Sequence, residues 1–123
     1  MKVILCLLFL CTAAHAQGVN VANLPTTNGA TTITTGNTFQ TVLAALTQGQ
    51  PKRNSLTIQN NTTNGDNCWI QFGIGITKAN ATEAKSILLG QGQSYTRYYP
   101  YVPSDEIEGT CATSSDTLYV DTQ

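Results

Sequence analysis

Short segments rich in β-branched, aromatic and aliphatic residues recur along this chain, and this recurrence constrains the fold more than any other feature. Each segment is closed by Gly, Pro, Asn or Asp, the residues that favour turns. The predicted strands are residues 19–22, 31–35, 39–46, 55–59, 68–72, 86–89, 94–99 and 117–121. About eight short strands with such turns predict an all-β fold, an antiparallel β-sandwich of the jelly-roll-like type.

Two of these segments alternate polar and apolar residues most clearly, as half-buried strands do. They are residues 55–59 and 68–72, and the sequence Asn64-Gly65 between them predicts a hairpin loop. Residues 39–46 also fit a short helix, but a strand is favoured because the neighbouring segments are all β. The predicted core consists of the inward-facing apolar residues Leu43, Leu56, Ile58, Cys68, Ile70, Phe72, Ile87, Leu89, Cys111, Leu118 and Val120.

The N-terminus has the layout of a secretory signal peptide, which we expect to be helical. Lys2 precedes an apolar run over residues 3–11, and Ala14-His15-Ala16 forms a small-x-small cleavage site. The apolar run is too short to span a bilayer core of about 30 Å. The sequence therefore predicts a signal peptide at residues 1–16 and one mature domain at residues 17–123, located in the periplasm or outside the cell.

Two cysteines remain after the predicted cleavage, Cys68 and Cys111. An even number of cysteines in an oxidising compartment favours a disulfide. Closing a loop of this length would contribute about 3–4 kcal/mol in the chain-entropy model. Two thiols without a histidine make a poor metal site, so we predict a structural disulfide.

The mature chain lacks the catalytic histidine of many hydrolases and the basic surface of a nucleic-acid-binding protein. The single histidine, His15, lies in the signal peptide, which excludes a Ser-His-Asp or Cys-His site. Five Lys and Arg residues face seven Asp and Glu residues in the mature chain, with no basic stripe. Asp105, Glu106 and Glu108 could act as paired carboxylates, but after Pro103 they are predicted to lie in an exposed turn. We predict a protein that is not an enzyme and does not bind nucleic acid.

A calcium site is an open alternative for the loop at residues 60–67. Asn64, Asp66 and Asn67 offer oxygen ligands that Asp105 or Asp116 could complete. Asn and Asp are also good turn formers, and no full calcium-loop motif is present. We therefore assign neither a metal nor a cofactor from the sequence.

The most unusual stretch of the chain is Tyr95-Thr96-Arg97-Tyr98-Tyr99-Pro100-Tyr101. Tyrosine combines an apolar ring with a polar tip, so it suits protein interfaces and stacks on sugar rings. Packing in the core or along a strand edge is the alternative. The candidate binding residues are Tyr95, Arg97, Tyr98, Tyr99 and Tyr101, with Trp69 as a further candidate.

Three short patterns occur within residues 53–99: Arg53-Asn54-Ser55-Leu56-Thr57-Ile58, an aromatic strand ending at Gly73, and Leu88-Leu89-Gly90 before Tyr95. Together they resemble small β-sandwich proteins encoded among bacteriophage and prophage structural genes. The resemblance implies an assembly or binding part. We expect either an exported structural or surface-interaction protein with a protein partner or self-assembly, or a secreted carbohydrate-binding module that uses the tyrosine-rich strand on a surface glycan.

Overall fold

The computed structural model describes residues 27–123, which form eight β-strands and one turn of 3-10 helix. The predicted signal peptide and the predicted strand at residues 19–22 lie outside the described residues. The helical turn is Glu83–Lys85. The strands are β1 (Thr27–Thr32), β2 (Gln40–Leu43), β3 (Ser55–Asn60), β4 (Cys68–Phe72), β5 (Ile87–Leu89), β6 (Ser94–Tyr98), β7 (Ile107–Cys111) and β8 (Thr117–Thr122).

The strands form two four-stranded antiparallel sheets. The first sheet has the order β1-β8-β3-β6 and the second has the order β2-β7-β4-β5. Every pair of consecutive strands is divided between the sheets except β4 and β5, which pair with each other. Two facing sheets of four strands wound in this way make a jelly roll, so the predicted all-β sandwich is confirmed.

The predicted hairpin between β3 and β4 is wrong. β3 pairs with β8 and β6 in the first sheet, and β4 pairs with β7 and β5 in the second. Residues 61–67 therefore cross from one sheet to the other. Gly65 does adopt a positive φ of 87°, but a turn-forming pair fixes only the local bend, and the partners of each strand are decided by packing.

The core lies between the sheets and matches most of the prediction. Leu56, Ile58, Ile70 and Leu118 are fully buried, and Leu89 and Val120 are nearly so. Leu43 and Phe72 are only partly buried, and Ile87 is 37% exposed because it lies on the edge strand β5. Three core residues were not predicted: Ile33, Val42 and Ile107.

The predicted inward face of residues 39–46 is also corrected. Only β2 is extended there, and Val42 is buried while Thr41 is exposed. The register between β2 and β7 shifts between Thr41 and Leu43. Such a bulge places neighbouring side chains out of strict alternation, which a period-two pattern cannot anticipate.

A disulfide joins Cys68 and Cys111, as predicted. The two residues are direct partners on neighbouring strands β4 and β7. They mark the disulfide end of the sandwich, where β3 and β7 end and β4 and β8 begin. On β7, a Cβ at Gly109 would lie 2.5 Å from a Val42 methyl in the same sheet and 2.8 Å from a Leu118 methyl in the facing sheet, so glycine leaves room for both side chains.

No helix among residues 27–123 is both long and apolar enough to cross a membrane.

Candidate binding surface

Three tyrosines gather at the end of the sandwich opposite the disulfide, which we call the tyrosine end. Tyr98, Tyr99 and Tyr101 are exposed by 69%, 64% and 78%. They follow one another where β6 leaves the sheet, in a turn closed by a hydrogen bond from the Tyr101 N–H to the Tyr98 carbonyl at 3.0 Å. None of their hydroxyls forms a hydrogen bond within residues 27–123.

The other two residues of the predicted tyrosine strand contact each other, and Arg97 is exposed. Tyr95 is partly buried, and its ring centroid lies 5.4 Å from that of Phe72. The Arg97 guanidinium carbon lies 5.1 Å from the Tyr95 ring centroid, and Arg97 Nε donates to the Tyr95 hydroxyl. This cation–π pair fixes the positions of the two side chains relative to each other.

Trp69 is not part of the tyrosine end. It lies on β4 in the second sheet, where its neighbours in register are Leu88 on β5 and Thr110 on β7. Alternation along β4 turns Trp69 away from the core, since Cys68 and Ile70 point inward. Leu88 is 51% exposed, so the two side chains form a separate apolar patch on the outer face of the second sheet.

A buried arginine that is not among the predicted binding residues organises the tyrosine end. Arg53 is only 8% exposed. Its Nη1 donates to the Pro103 carbonyl at 2.6 Å, and its Nη2 donates to the Ala44 carbonyl. Burial lowers the pKa of Arg53, and the Asp105 carboxylate raises it, but an arginine stays charged at neutral pH. One side chain thus ties the loop after β2 to the loop before β7.

Two cavities flank Arg53 at this end. One, of about 320 Å³, has an apolar wall made by residues 43–46 and reaches Thr122 and Gln123. The other, of about 220 Å³, lies beneath Tyr99 and Pro100 and is also lined by Lys52. Tyr99, one of the three exposed tyrosines, therefore borders a concave surface with both apolar and cationic groups.

The predicted exposed turn at Asp105, Glu106 and Glu108 is wrong at its most important position. Glu108 lies on β7 and is fully buried. Burial raises the pKa of Glu108, and the Glu106 carboxylate raises it further, while the Lys78 backbone N–H and the Thr41 hydroxyl act in the opposite direction. Thr41 Oγ1 lies 2.5 Å from Glu106 Oε1 and 3.4 Å from Glu108 Oε1, and its single proton can be donated to only one of these carboxylates at a time.

The buried position of Glu108 follows from the segment over residues 73–86. The Thr82 N–H donates to Gln71 Oε1 at 2.8 Å, and the Ser86 hydroxyl donates to the same atom at 3.3 Å. Gln71 is the partner of Glu108 in register, so this segment covers both polar side chains. A carboxyl group without contact to solvent cannot contact a substrate. In this conformation Glu106 and Glu108 therefore do not form a glycosidase site.

Among residues 27–123, β6 is an edge strand with no strand paired to its outer side. The Tyr99 N–H donates to the Asn54 carbonyl at 2.8 Å, so alternate residues Tyr95 and Arg97 turn their backbone groups toward β3. Ser94, Thr96 and Tyr98 turn theirs outward. The free side of β6 and the exposed tyrosines thus form one continuous surface.

Comparison of the chain with protein-family models, with curated proteins and with solved structures finds no match.

Proposed function

We propose that this is an exported, non-enzymatic assembly protein that contacts further copies of itself through the free edge of β6 and the tyrosine end. The observation that carries the proposal is the exposure of Tyr98, Tyr99 and Tyr101 beside unpaired backbone groups. A tyrosine buries about 150–250 Å² when it is covered. Isolated exposed apolar side chains are ordinary, but three within four residues favour an interface.

Strand addition supplies the geometry of the contact. A second extended chain can pair with the outward groups of Ser94 and Thr96 and then pack on Tyr98. Jelly rolls occur both in viral shells and in lectins, so the fold does not choose between assembly and sugar binding. The open edge favours assembly, in line with the resemblance to phage structural proteins.

The test is light scattering on the purified protein over a concentration series. We expect the wild type to form a defined oligomer. Thr96→Pro removes an N–H that β3 does not use, so it should leave the fold intact and block pairing at the edge. Thr96→Val keeps the N–H and serves as the control. A wild type that stays monomeric at its highest soluble concentration would show that self-assembly is wrong.

Glycan binding is the second candidate, favoured by the cavity beneath Tyr99, which combines a ring with the Lys52 side chain. The Tyr99→Ala variant should lose retention on a glycan array while its circular dichroism spectrum stays unchanged. Equal retention of the variant and the wild type would exclude this candidate.

A further inference from the structure

Two acidic side chains from different parts of the chain meet at the disulfide end. Asp66 lies in the crossover between β3 and β4, and Asp116 lies in the turn between β7 and β8. The Asn64 amide nitrogen donates to Asp66 Oδ2 at 2.9 Å and to Asp116 Oδ1 at 3.0 Å. One neutral amide therefore holds two carboxylates together.

The Asp116 carboxylate has an oxygen that the protein does not satisfy. Asp116 is only 6% exposed, and its Oδ2 is buried without a hydrogen-bond partner among residues 27–123. Within the same residues, no Lys or Arg forms an ion pair with either carboxylate. Leaving a buried carboxylate oxygen unpaired is costly, so this oxygen points to a ligand that carries positive charge.

The backbone around the two carboxylates is already fixed. Asn60 Nδ2 donates to the Asp66 carbonyl at 2.8 Å, and the Ile33 N–H donates to the Asp116 carbonyl at 2.8 Å. Nearby, the Ala112 N–H donates to the Asn67 carbonyl at 2.9 Å, beside the Cys68–Cys111 disulfide. Ligand binding would therefore require little ordering of the chain, which favours affinity.

We propose that Asp66, Asp116 and Asn64 form a calcium site. All the available donors are oxygens, which calcium prefers, and calcium tolerates irregular geometry better than magnesium does. Two carboxylate charges match one divalent cation. Rotation of the Asn64 amide would present its oxygen to the ion, at the cost of the hydrogen bond that this oxygen accepts from the Asp66 N–H at 3.2 Å.

The distances permit this coordination. A calcium ion with ligands at about 2.3–2.6 Å can bridge oxygens up to about 5 Å apart. The Asn64 nitrogen lies 2.9 Å from Asp66 Oδ2 and 3.0 Å from Asp116 Oδ1, so the separation of these two oxygens cannot exceed the sum of those distances. A small inward movement of one carboxylate therefore brings both within reach of the ion.

The site has two carboxylates, since Asp105, the other candidate from the sequence, lies at the opposite end beside Arg53. No cluster of three or more His, Cys, Asp or Glu residues suited to a metal occurs among residues 27–123. Water must then complete the coordination, and the affinity should be that of extracellular calcium modules, with a Kd of about 0.1–1 mM. Bound calcium would clamp the β3–β4 crossover to the β7–β8 turn.

Isothermal titration calorimetry and thermal unfolding of the purified protein test the proposal. We expect calcium to bind with the affinity given above and about 10 mM calcium to raise Tm by roughly 6–12 °C. Magnesium at the same concentration should give a much smaller rise. Asp116→Asn should lose at least about tenfold in affinity, because it removes a charged ligand, yet it should be no less stable than the wild type without calcium.

Asp66→Asn provides a second variant, in case Asp116→Asn does not fold. Glu83→Gln removes one negative charge from an exposed site and should keep the full calcium response. No binding by the wild type up to about 10 mM would overturn the proposal. An equal response of the two Asp variants and the wild type, or equal effects of calcium and magnesium, would also overturn it, since general charge screening explains both.

Discussion

The two ends of the sandwich are held together by different means. At the disulfide end, Cys68–Cys111 and the buried Asn60 fix the crossover between the sheets through covalent and hydrogen bonds. At the tyrosine end, one side chain, Arg53, ties two loops together beside two cavities. The difference separates the end that secures the fold from the end that leaves apolar surface available to a partner.

The largest effect is expected from the disulfide. Reduction, or the Cys68→Ala/Cys111→Ala variant, should lower the free energy of unfolding by about 3–4 kcal/mol, because the unfolded chain gains freedom over a separation of 43 residues. Urea unfolding under oxidising and reducing conditions measures this. A loss below about 1 kcal/mol would mean that the hydrogen bonds alone hold this end.

The buried side chains of Asn60 and Arg53 should also contribute unequally to the free energy of unfolding, with the larger contribution from Asn60 at the disulfide end. Asn60 donates to the Asp66 and Leu89 carbonyls, each at 2.8 Å, and accepts from the Thr62 N–H at 3.0 Å. Asn60→Ala leaves these groups in the interior without hydrogen-bond partners and should lower the free energy of unfolding by about 2–4 kcal/mol. Asn61→Ala, at an exposed neighbour, is its control.

Arg53→Ala should cost less, about 1–2 kcal/mol, since water can reach the loop carbonyls that it releases. Lys52→Ala is the matched control at an exposed position. Urea unfolding ranks Asn60→Ala and Arg53→Ala directly. If Arg53→Ala were less stable than Asn60→Ala, the tyrosine end and not the disulfide end would contribute more to the stability of the fold.

A smaller and pH-dependent effect is expected from Glu108. Because its pKa in the folded protein is raised above the ordinary value of 4.5, its contribution to stability is fully present below that value and is lost as the pH rises through the raised pKa. Glu108→Gln should therefore be more stable than the wild type at neutral pH, and the difference should shrink in acid. Urea unfolding as a function of pH measures this, and the exposed Glu83→Gln is the control. A constant difference across pH would contradict the sign.

The smallest effect on stability should come from the exposed tyrosines. Tyr101→Ala should change the free energy of unfolding by less than about 0.5 kcal/mol. Tyr95→Ala, which removes the contacts with Phe72 and Arg97, should cost about 1–2 kcal/mol. A cost at Tyr101 equal to that at Tyr95 would show that its ring packs on the protein and is not available to a partner.

Much of the fold could be predicted because alternation and turn residues act locally. Leu56 and Ile58 face the core as their pattern predicts, and the Cys68–Cys111 bond agrees with the cysteine count. Pairing could not be predicted in the same way. Asn64-Gly65 resembles a hairpin turn, yet its flanking strands belong to different sheets, because burying both apolar faces outweighs a local turn preference.

The candidate site was predicted in composition but not in arrangement. The tyrosine cluster is evident in the sequence, whereas the division between the exposed Tyr98 and the partly buried Tyr95 depends on which edge β6 occupies. Arg53 belongs to a pattern of the stated resemblance, but its contacts arise only when the loops containing Ala44 and Pro103 are brought together.

By itself, the sequence determined the all-β class, most of the strands and the disulfide, since these follow from backbone preference, hydrophobic alternation and the pairing of two cysteines. Only the tertiary structure decided the jelly-roll order, the burial of Glu108 and the meeting of Asp66 with Asp116. Each of these joins residues distant in the chain, and such contacts are set by how the two sheets bury their shared core.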